Sequence, residues 1–141
     1  MKKVLLILVV FFACKSTISR AQGVPDTLQY LKKVVQNKSQ YIGQPFSKLL
    51  KDLEINILYF SPDGGIWHDR SKETSTSFSF CFPTRAEDIN LAYPFLKIIW
   101  KDPLNAMQSG SIYDQSDRGR FSSEAILFYL SGIIEDIKIL E

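Results

Sequence analysis

Between Val24 and Leu53, apolar residues recur with the period of an α-helix. In VPDTLQYLKKVVQNK, Leu28 and Leu31 lie on one helical face, and the preceding Asp26 is placed to cap the helix. The next stretch, YIGQPFSKLLKDLE, begins with Gly and Pro as helix-breaking and helix-starting residues. Its Phe and Leu residues then follow at spacings of three and four. We therefore predict two N-terminal helices.

Further along the chain the period changes to two, which is typical of β-strands. The segments EINILYF, STSFSFCF, YPFLKIIWKD and IIEDIKIL alternate in this way, and the turn residues SPDGG follow the first. We predict four strands, with one face of the resulting sheet packed against the helices. The predicted core consists of Leu31, Val35, Phe46, Leu49, Leu50, Leu53, Ile55, Ile57, Phe78, Phe80, Phe82, Ile98, Trp100, Ile137 and Ile139.

The region between the third and fourth strands is less regular. Residues 103–120 are polar and predict a long loop, whereas SSEAILFYLSG favours a short helix that begins at Ser122 or Ser123 and ends at Gly132. A hairpin turn at Ser131 and Gly132 is the alternative. The predicted fold class is α+β: a single small domain with a mostly antiparallel four-stranded sheet. Two N-terminal helices and a short helix before the last strand would pack on one face of it.

The opposite face of the predicted sheet has a mixed character, too apolar for full solvation and too charged for a second core. We interpret it as a binding surface for a protein, for a small ligand, or for a second copy of the chain in a homodimer. The alternative is that the loop at 103–121 folds across it. The candidate binding residues on this face are Leu58, Phe60, Phe95, Lys97, Ile99 and Lys101, and Ile134, Lys138 and Leu140 from the last strand would lie beside them.

The N-terminal stretch MKKVLLILVVFFACKSTISRAQG has the parts of an export signal. Two lysines precede an apolar run at Val4–Ala13, and small residues at Ser19 and Ala21 suit cleavage after Ala21. The run is about half as long as a membrane-spanning helix, so we expect no transmembrane segment in the mature chain. The predicted domains are a signal peptide at 1–21, which is removed, and a periplasmic or secreted domain at 22–141.

The two cysteines bear on location and on crosslinking. Cys14 directly follows the apolar run, so a bacterial lipoprotein anchored at this residue is the alternative to simple secretion, although Phe11 stands where Leu is usual. Cys81 is then the sole cysteine of the mature chain, which excludes an internal disulfide. Its aromatic neighbours predict a buried, unreactive thiol.

Removal of the signal reverses the sign of the net charge. The full chain has 17 basic and 15 acidic residues, and Lys2, Lys3, Lys15 and Arg20 leave with the signal. The mature chain therefore has 13 basic and 15 acidic residues, a net charge of −2. This balance gives no electrostatic basis for binding nucleic acid.

The loop GGIWHDRSKET contains the single histidine of the chain. Trp67, His68 and Arg70 are candidate ligand-binding residues, and His68 beside Asp69 is a conceivable general base. A connecting loop whose polar side chains stay in water is the alternative. Metal and cofactor sites are not expected, because the histidines and cysteines are too few and the calcium-like stretch DQSDRGRFSSE has Arg118 at a ligand position.

These observations leave two hypotheses about function. The first is a small exported, non-enzymatic binding domain whose partner is a protein or a small ligand. It follows from the export signal, the single-domain length and the lack of a recognisable catalytic motif, and it assigns no catalytic residue. The alternative is a small extracytoplasmic hydrolase or carbohydrate-active enzyme that uses the His68 loop.

Overall fold

The computed structural model describes residues 26–64, 69–81 and 94–141. This part of the chain forms four α-helices and a four-stranded antiparallel sheet, a single small α+β domain as the sequence predicts. The strands lie side by side in chain order. In chain order the elements are α1 (Thr27–Gln36), a 3-10 helix (Lys38–Gln40), α2 (Phe46–Asp52), β1 (Tyr59–Gly64), β2 (Lys72–Ser79), β3 (Phe95–Asn105), α3 (Ala106–Gln115), α4 (Ser123–Tyr129) and β4 (Ile134–Leu140).

Side-chain caps fix where the predicted helices begin. The Asp26 carboxylate accepts a hydrogen bond from the backbone N–H of Gln29 at 3.0 Å, at the start of α1. At the start of α4, the Ser122 hydroxyl accepts from the N–H of Ala125 at 3.3 Å. The segment before β4 is therefore a helix, and the alternative hairpin is wrong.

The prediction of a long loop at 103–120 is wrong, because β3 continues to Asn105 and α3 follows at once. The Asn105 side chain accepts from two backbone N–H groups of the first turn of α3, each at 3.1 Å. α3 buries only Ser109 and Ile112, so its amphipathic pattern is too weak to be recognised in the sequence. It packs on the core face beside β1 and does not cross the opposite face.

The core lies between the helices and one face of the sheet. Phe46 of α2 stacks on Phe78 of β2 with ring centroids 4.9 Å apart, and Tyr129 of α4 meets the same Phe78 ring edge-on at 5.5 Å. Among the predicted core residues, Phe82 lies outside the described residues, and Val35, Leu50, Leu53, Ile55 and Ile139 are partly buried against the core. The others are buried: Leu31, Phe46, Leu49, Ile57, Phe78, Phe80, Ile98, Trp100 and Ile137.

The side chain of Phe60 in the first strand lies on the opposite face of the sheet from the one predicted. We expected Phe60 on the face opposite the helices, but it is 2 % exposed and belongs to the core. In the observed register it lies directly opposite Phe78, and directly opposed residues of neighbouring strands share a face. The strand also begins later than predicted, at Tyr59, because β2 ends at its partner Ser79.

Ile134 corrects the facing at the start of the last strand. We expected it on the opposite face, but its side chain is fully buried in the core. The pairing between β3 and β4 is irregular at this point, with Trp100 opposite Ile134 and Ile99 opposite Asp136. The extra residue of β4 is accommodated in a bulge, which returns Ile134 to the same face as Ile137.

Both edges of the sheet are partly covered by the chain itself. Along β1, the N–H of Phe60 donates to the carbonyl oxygen of Gly119 at 2.8 Å, and a second bond, Phe121 to Leu58, measures 2.9 Å. At the start of β4, Ile134 exchanges hydrogen bonds with Gly43 and Gln44 at 2.8 and 3.0 Å. These bonds occupy backbone groups to which another strand could otherwise add.

Candidate functional site

The face of the sheet opposite the helices contains a groove along β2. Alternation places Ser77 and Ser79 of β2 on this face, and the pairing puts Ser79 between Tyr59 of β1 and Phe95 of β3. The strands on either side of β2 are about 10 Å apart, twice the usual strand spacing. Because serine is much smaller than the aromatic side chains beside it, a hollow lies above the middle strand.

This hollow is a cavity of about 250 Å³, which we call the sheet groove. The serine side chains at its floor are almost completely buried, while the groups at its rim are half-exposed. The groove combines an aromatic end with a charged end, an arrangement common in small-molecule sites. Its defining residues are Tyr59, Asp63, Ser77, Ser79, Phe95 and Lys97.

The charged end of the sheet groove is a hydrogen-bonded network that crosses three strands. Oδ2 of Asp63 accepts from Lys97 Nζ at 3.1 Å and from the Ser77 hydroxyl at 3.3 Å. The side chains of Lys97 and Asp63 are 30 % and 39 % exposed. At the other end, the Ser79 hydroxyl donates to the carbonyl oxygen of Cys81 at 3.3 Å. The network presents one positive and one negative group side by side, so this end of the groove has no net charge.

The predicted face residues do not all meet at the sheet groove. Phe95 and Lys97 line it, as expected of a binding surface, and Ile99 is half-buried further along β3. Lys101 is exposed, and Leu58 is half-buried beside the first strand. Phe60 borders the groove but points into the core, so its assignment to an accessible binding surface is wrong.

Sequence reasoning missed Tyr59 and Asp63. The alternation in EINILYF predicts Tyr59 on the same face as the core residue Ile57, and SPDGG predicts a turn at Asp63. Both follow from the register that pairs Phe60 with Phe78. Tyr59 is one position and Asp63 three positions from Phe60, and an odd separation along a strand places a side chain on the opposite face. Matching the two phenylalanines across the hairpin would have placed both residues on the groove side.

The loop with the single histidine is described in part. Trp67 and His68 lie outside the described residues. Arg70 is exposed, and Asp69 is held within the turn, where its carboxylate accepts from the backbone N–H of Ser71 at 3.1 Å and pairs with Lys72 at 3.0 Å. Hydrogen bonds from the Ser71 side chain, and then from Lys72, lower the pKa of Asp69. Its carboxylate oxygens are thus already engaged inside the turn.

A buried polar cluster lies on the core side of β2. Glu73 is completely buried, and its Oε1 accepts from the hydroxyls of Thr76 and Tyr129, the latter at 3.1 Å. Trp100 Nε1 donates to the Thr76 hydroxyl at 2.8 Å, while Oε2 of Glu73 has no hydrogen-bond partner within the described part of the chain. Burial raises the pKa of Glu73 and also that of Tyr129. Because solvent does not reach this carboxyl, its effect is on stability rather than on binding.

Residues 26–64, 69–81 and 94–141 contain no group of three or more His, Cys, Asp or Glu side chains that could hold a metal ion. No helix in that part of the chain has the length and apolarity needed to span a membrane. Comparison with known proteins gives no matching family model, and neither a curated protein nor a solved structure matches this chain significantly.

Proposed function

We propose that this chain is a small exported binding domain without a catalytic role, and that the sheet groove is its binding site. The observation that supports it is a half-open cavity of about 250 Å³ with aromatic side chains at one end and the paired Asp63 and Lys97 at the other. Sites for small molecules typically combine an apolar lining with a few convergent polar groups. Export is supported by the apolar run and the small residues before Gln22.

A small ligand on the face is favoured over a strand added at an edge. Part of each sheet edge already pairs with a segment of the same chain, at Gly119 on β1 and at Gly43 on β4. On the face, recognition depends on side chains rather than on backbone pairing. The aromatic and charged ends of the sheet groove supply those side chains.

Capture from the native host tests this function. The tagged protein is purified from the host's extracytoplasmic fraction, and bound small molecules are detected by native mass spectrometry. Ser77→Leu fills the floor of the groove, and Ser39→Leu makes the same change at an exposed position elsewhere. We expect a bound mass with the wild type and with Ser39→Leu, and its loss with Ser77→Leu. Circular dichroism verifies that both variants are folded.

Two outcomes of the capture experiment would contradict the proposal. An identical bound mass in the wild type and in Ser77→Leu means that the ligand sits elsewhere and contradicts the proposal, as does the absence of any bound mass. Lys97→Ala provides a second groove variant if Ser77→Leu does not fold. Sedimentation of the same samples tests for a homodimer, since a second copy of the chain is the other occupant suggested for this face. A dimer that dissociates in Lys97→Ala would show that a second copy, rather than a small ligand, binds there.

A further inference from the structure

We infer that the sheet groove recognises an uncharged, hydroxyl-rich ligand, a neutral saccharide ring. This inference rests on the proposed function, because it names the ligand class of the same site. It follows from three features of the groove: its charge balance, its open hydrogen-bonding positions and its aromatic end.

The charge balance argues against a charged ligand. Asp63 and Lys97 neutralise each other across β2 at 3.1 Å. A carboxylate or a phosphate that accepts from Lys97 comes to lie beside the like-charged Asp63, and an amine that donates to Asp63 comes to lie beside the like-charged Lys97. Either placement brings two like charges together in a half-buried site, which costs free energy. A neutral ligand leaves the ion pair intact.

The open hydrogen-bonding positions match hydroxyl groups. Oδ2 of Asp63 carries both contacts, with Lys97 and with Ser77, while Oδ1 has no hydrogen-bond partner among the described residues. An ammonium group has three N–H donors, and in the described part of the chain only one of those on Lys97 is engaged. An acceptor and a donor thus stand side by side. A hydroxyl both donates and accepts, so two neighbouring hydroxyls of one sugar ring satisfy both positions.

The aromatic end suits the remaining face of such a ring. Tyr59 and Phe95 flank the small Ser79, and they offer apolar surface to the C–H groups of a sugar. The volume of about 250 Å³ is below the range of about 300–1,000 Å³ that holds drug-sized ligands. The groove therefore fits a single ring, either free or at the end of a chain.

Chemical-shift mapping on the ¹⁵N-labelled protein tests this inference. The neutral probes are methyl β-glucoside, methyl β-galactoside, methyl α-mannoside and N-acetylglucosamine, and the charged probes are glucuronate and glucosamine. We expect at least one neutral probe to shift the amides of the sheet groove and to bind about tenfold more tightly than its charged counterpart. Asp63→Asn should weaken that binding about tenfold and make glucuronate the better ligand, because Lys97 loses its partner.

A matched variant separates the groove from ion pairs in general. Asp136→Asn removes another carboxylate that pairs with a lysine, Lys38, at 2.5 Å, and it lies outside the groove. It should leave sugar binding unchanged. If Asp63→Asn fails to fold, Phe95→Leu replaces it, with an expected loss of about fivefold from the missing ring.

Three outcomes overturn the inference: no neutral probe shifts the groove amides, a charged probe binds the wild type more tightly, or Asp63→Asn binds the neutral sugar unchanged. Phenol is included as a probe of the groove itself. If phenol or a charged sugar shifts the groove amides while neutral sugars do not, the saccharide assignment fails and the binding site stands. If no probe shifts them and the capture experiment yields no mass, the proposed function fails as well.

Discussion

Glu73→Gln removes an ionisable group that is completely buried between β2 and α4. Burial raises the pKa of this carboxyl above its ordinary value of 4.5, despite the opposing hydrogen bonds from neighbouring side chains. The substitution keeps an oxygen that can accept from Tyr129 and Thr76. It therefore tests the titration of Glu73 with little change in shape.

The sign and size of the effect follow from proton linkage. Below pH 4.5 the carboxyl is protonated in both the folded and the unfolded state, and its contribution to stability is complete. As the pH rises from there to the folded pKa, the unfolded state loses its proton first, so the free energy of unfolding falls. The slope approaches about 1.4 kcal/mol per pH unit for one proton. Above the folded pKa the fall ends.

Urea unfolding followed by tryptophan fluorescence, at pH values from 4 to 8, measures this difference. Glutamine does not titrate. The free energy of unfolding of Glu73→Gln minus that of the wild type should therefore rise with pH, by at most about 1.4 kcal/mol per pH unit. Carboxylates such as Asp136, whose pKa is lowered by its hydrogen bond with Lys38, affect both proteins equally and cancel in the difference. Glu135→Gln makes the same change at an exposed position of β4 and serves as the matched control for the substitution itself. Parallel curves for Glu73→Gln and the wild type would refute the assignment of a raised pKa.

Three further predictions concern packing, backbone and processing. Phe78→Ala removes a ring at the centre of the core and should lower the free energy of unfolding by about 3–5 kcal/mol in the same urea assay; a loss below about 1 kcal/mol would contradict its central place. Gly119→Ala should destabilise the fold by more than about 1 kcal/mol, because φ is +85° and a Cβ would lie 2.4 Å from a backbone oxygen and from a tyrosine ring. Gly110→Ala, in helix α3 with no atom within 4 Å of the new Cβ, should instead stabilise it by about 0.5–1 kcal/mol. N-terminal sequencing of the exported protein should give Gln22, and a lipid-modified Cys14 would show the lipoprotein alternative to be correct.

Elements with a strong period could be predicted from the sequence. In β3 the alternation of Leu96, Ile98 and Trp100 with half-buried or exposed neighbours matches the observed burial, and the caps at Asp26 and Ser122 were found from residue type alone. These signals are local, so they do not depend on what the segment packs against.

The rest depended on contacts between distant segments. The facing of Phe60 is decided by its register with Phe78, and the facing of Ile134 by a bulge opposite β3. The sheet groove could not be predicted without both registers of β2, with β1 and with β3, because its six defining residues come from these three strands. Glu73 belongs to the predicted loop GGIWHDRSKET, and its neighbours in sequence do not indicate its burial, which depends on Tyr129, 56 residues away.

The contacts at the edge of β4 join the N-terminal helices to the C-terminal end of the domain. The N–H of Phe46 donates to the carbonyl oxygen of Gly132 at 2.8 Å, and Gly43 bonds to Ile134, so the N-terminal helices are tied to the last strand. Such pairs close loops of most of the domain, and contacts between residues so far apart in sequence carry an entropic cost of loop closure and slow folding. Until β4 has been synthesised, α1 and α2 have only part of their packing surface. The chain therefore completes its fold only after its C-terminal strand is available, which suits a polypeptide proposed to leave the cytoplasm before folding.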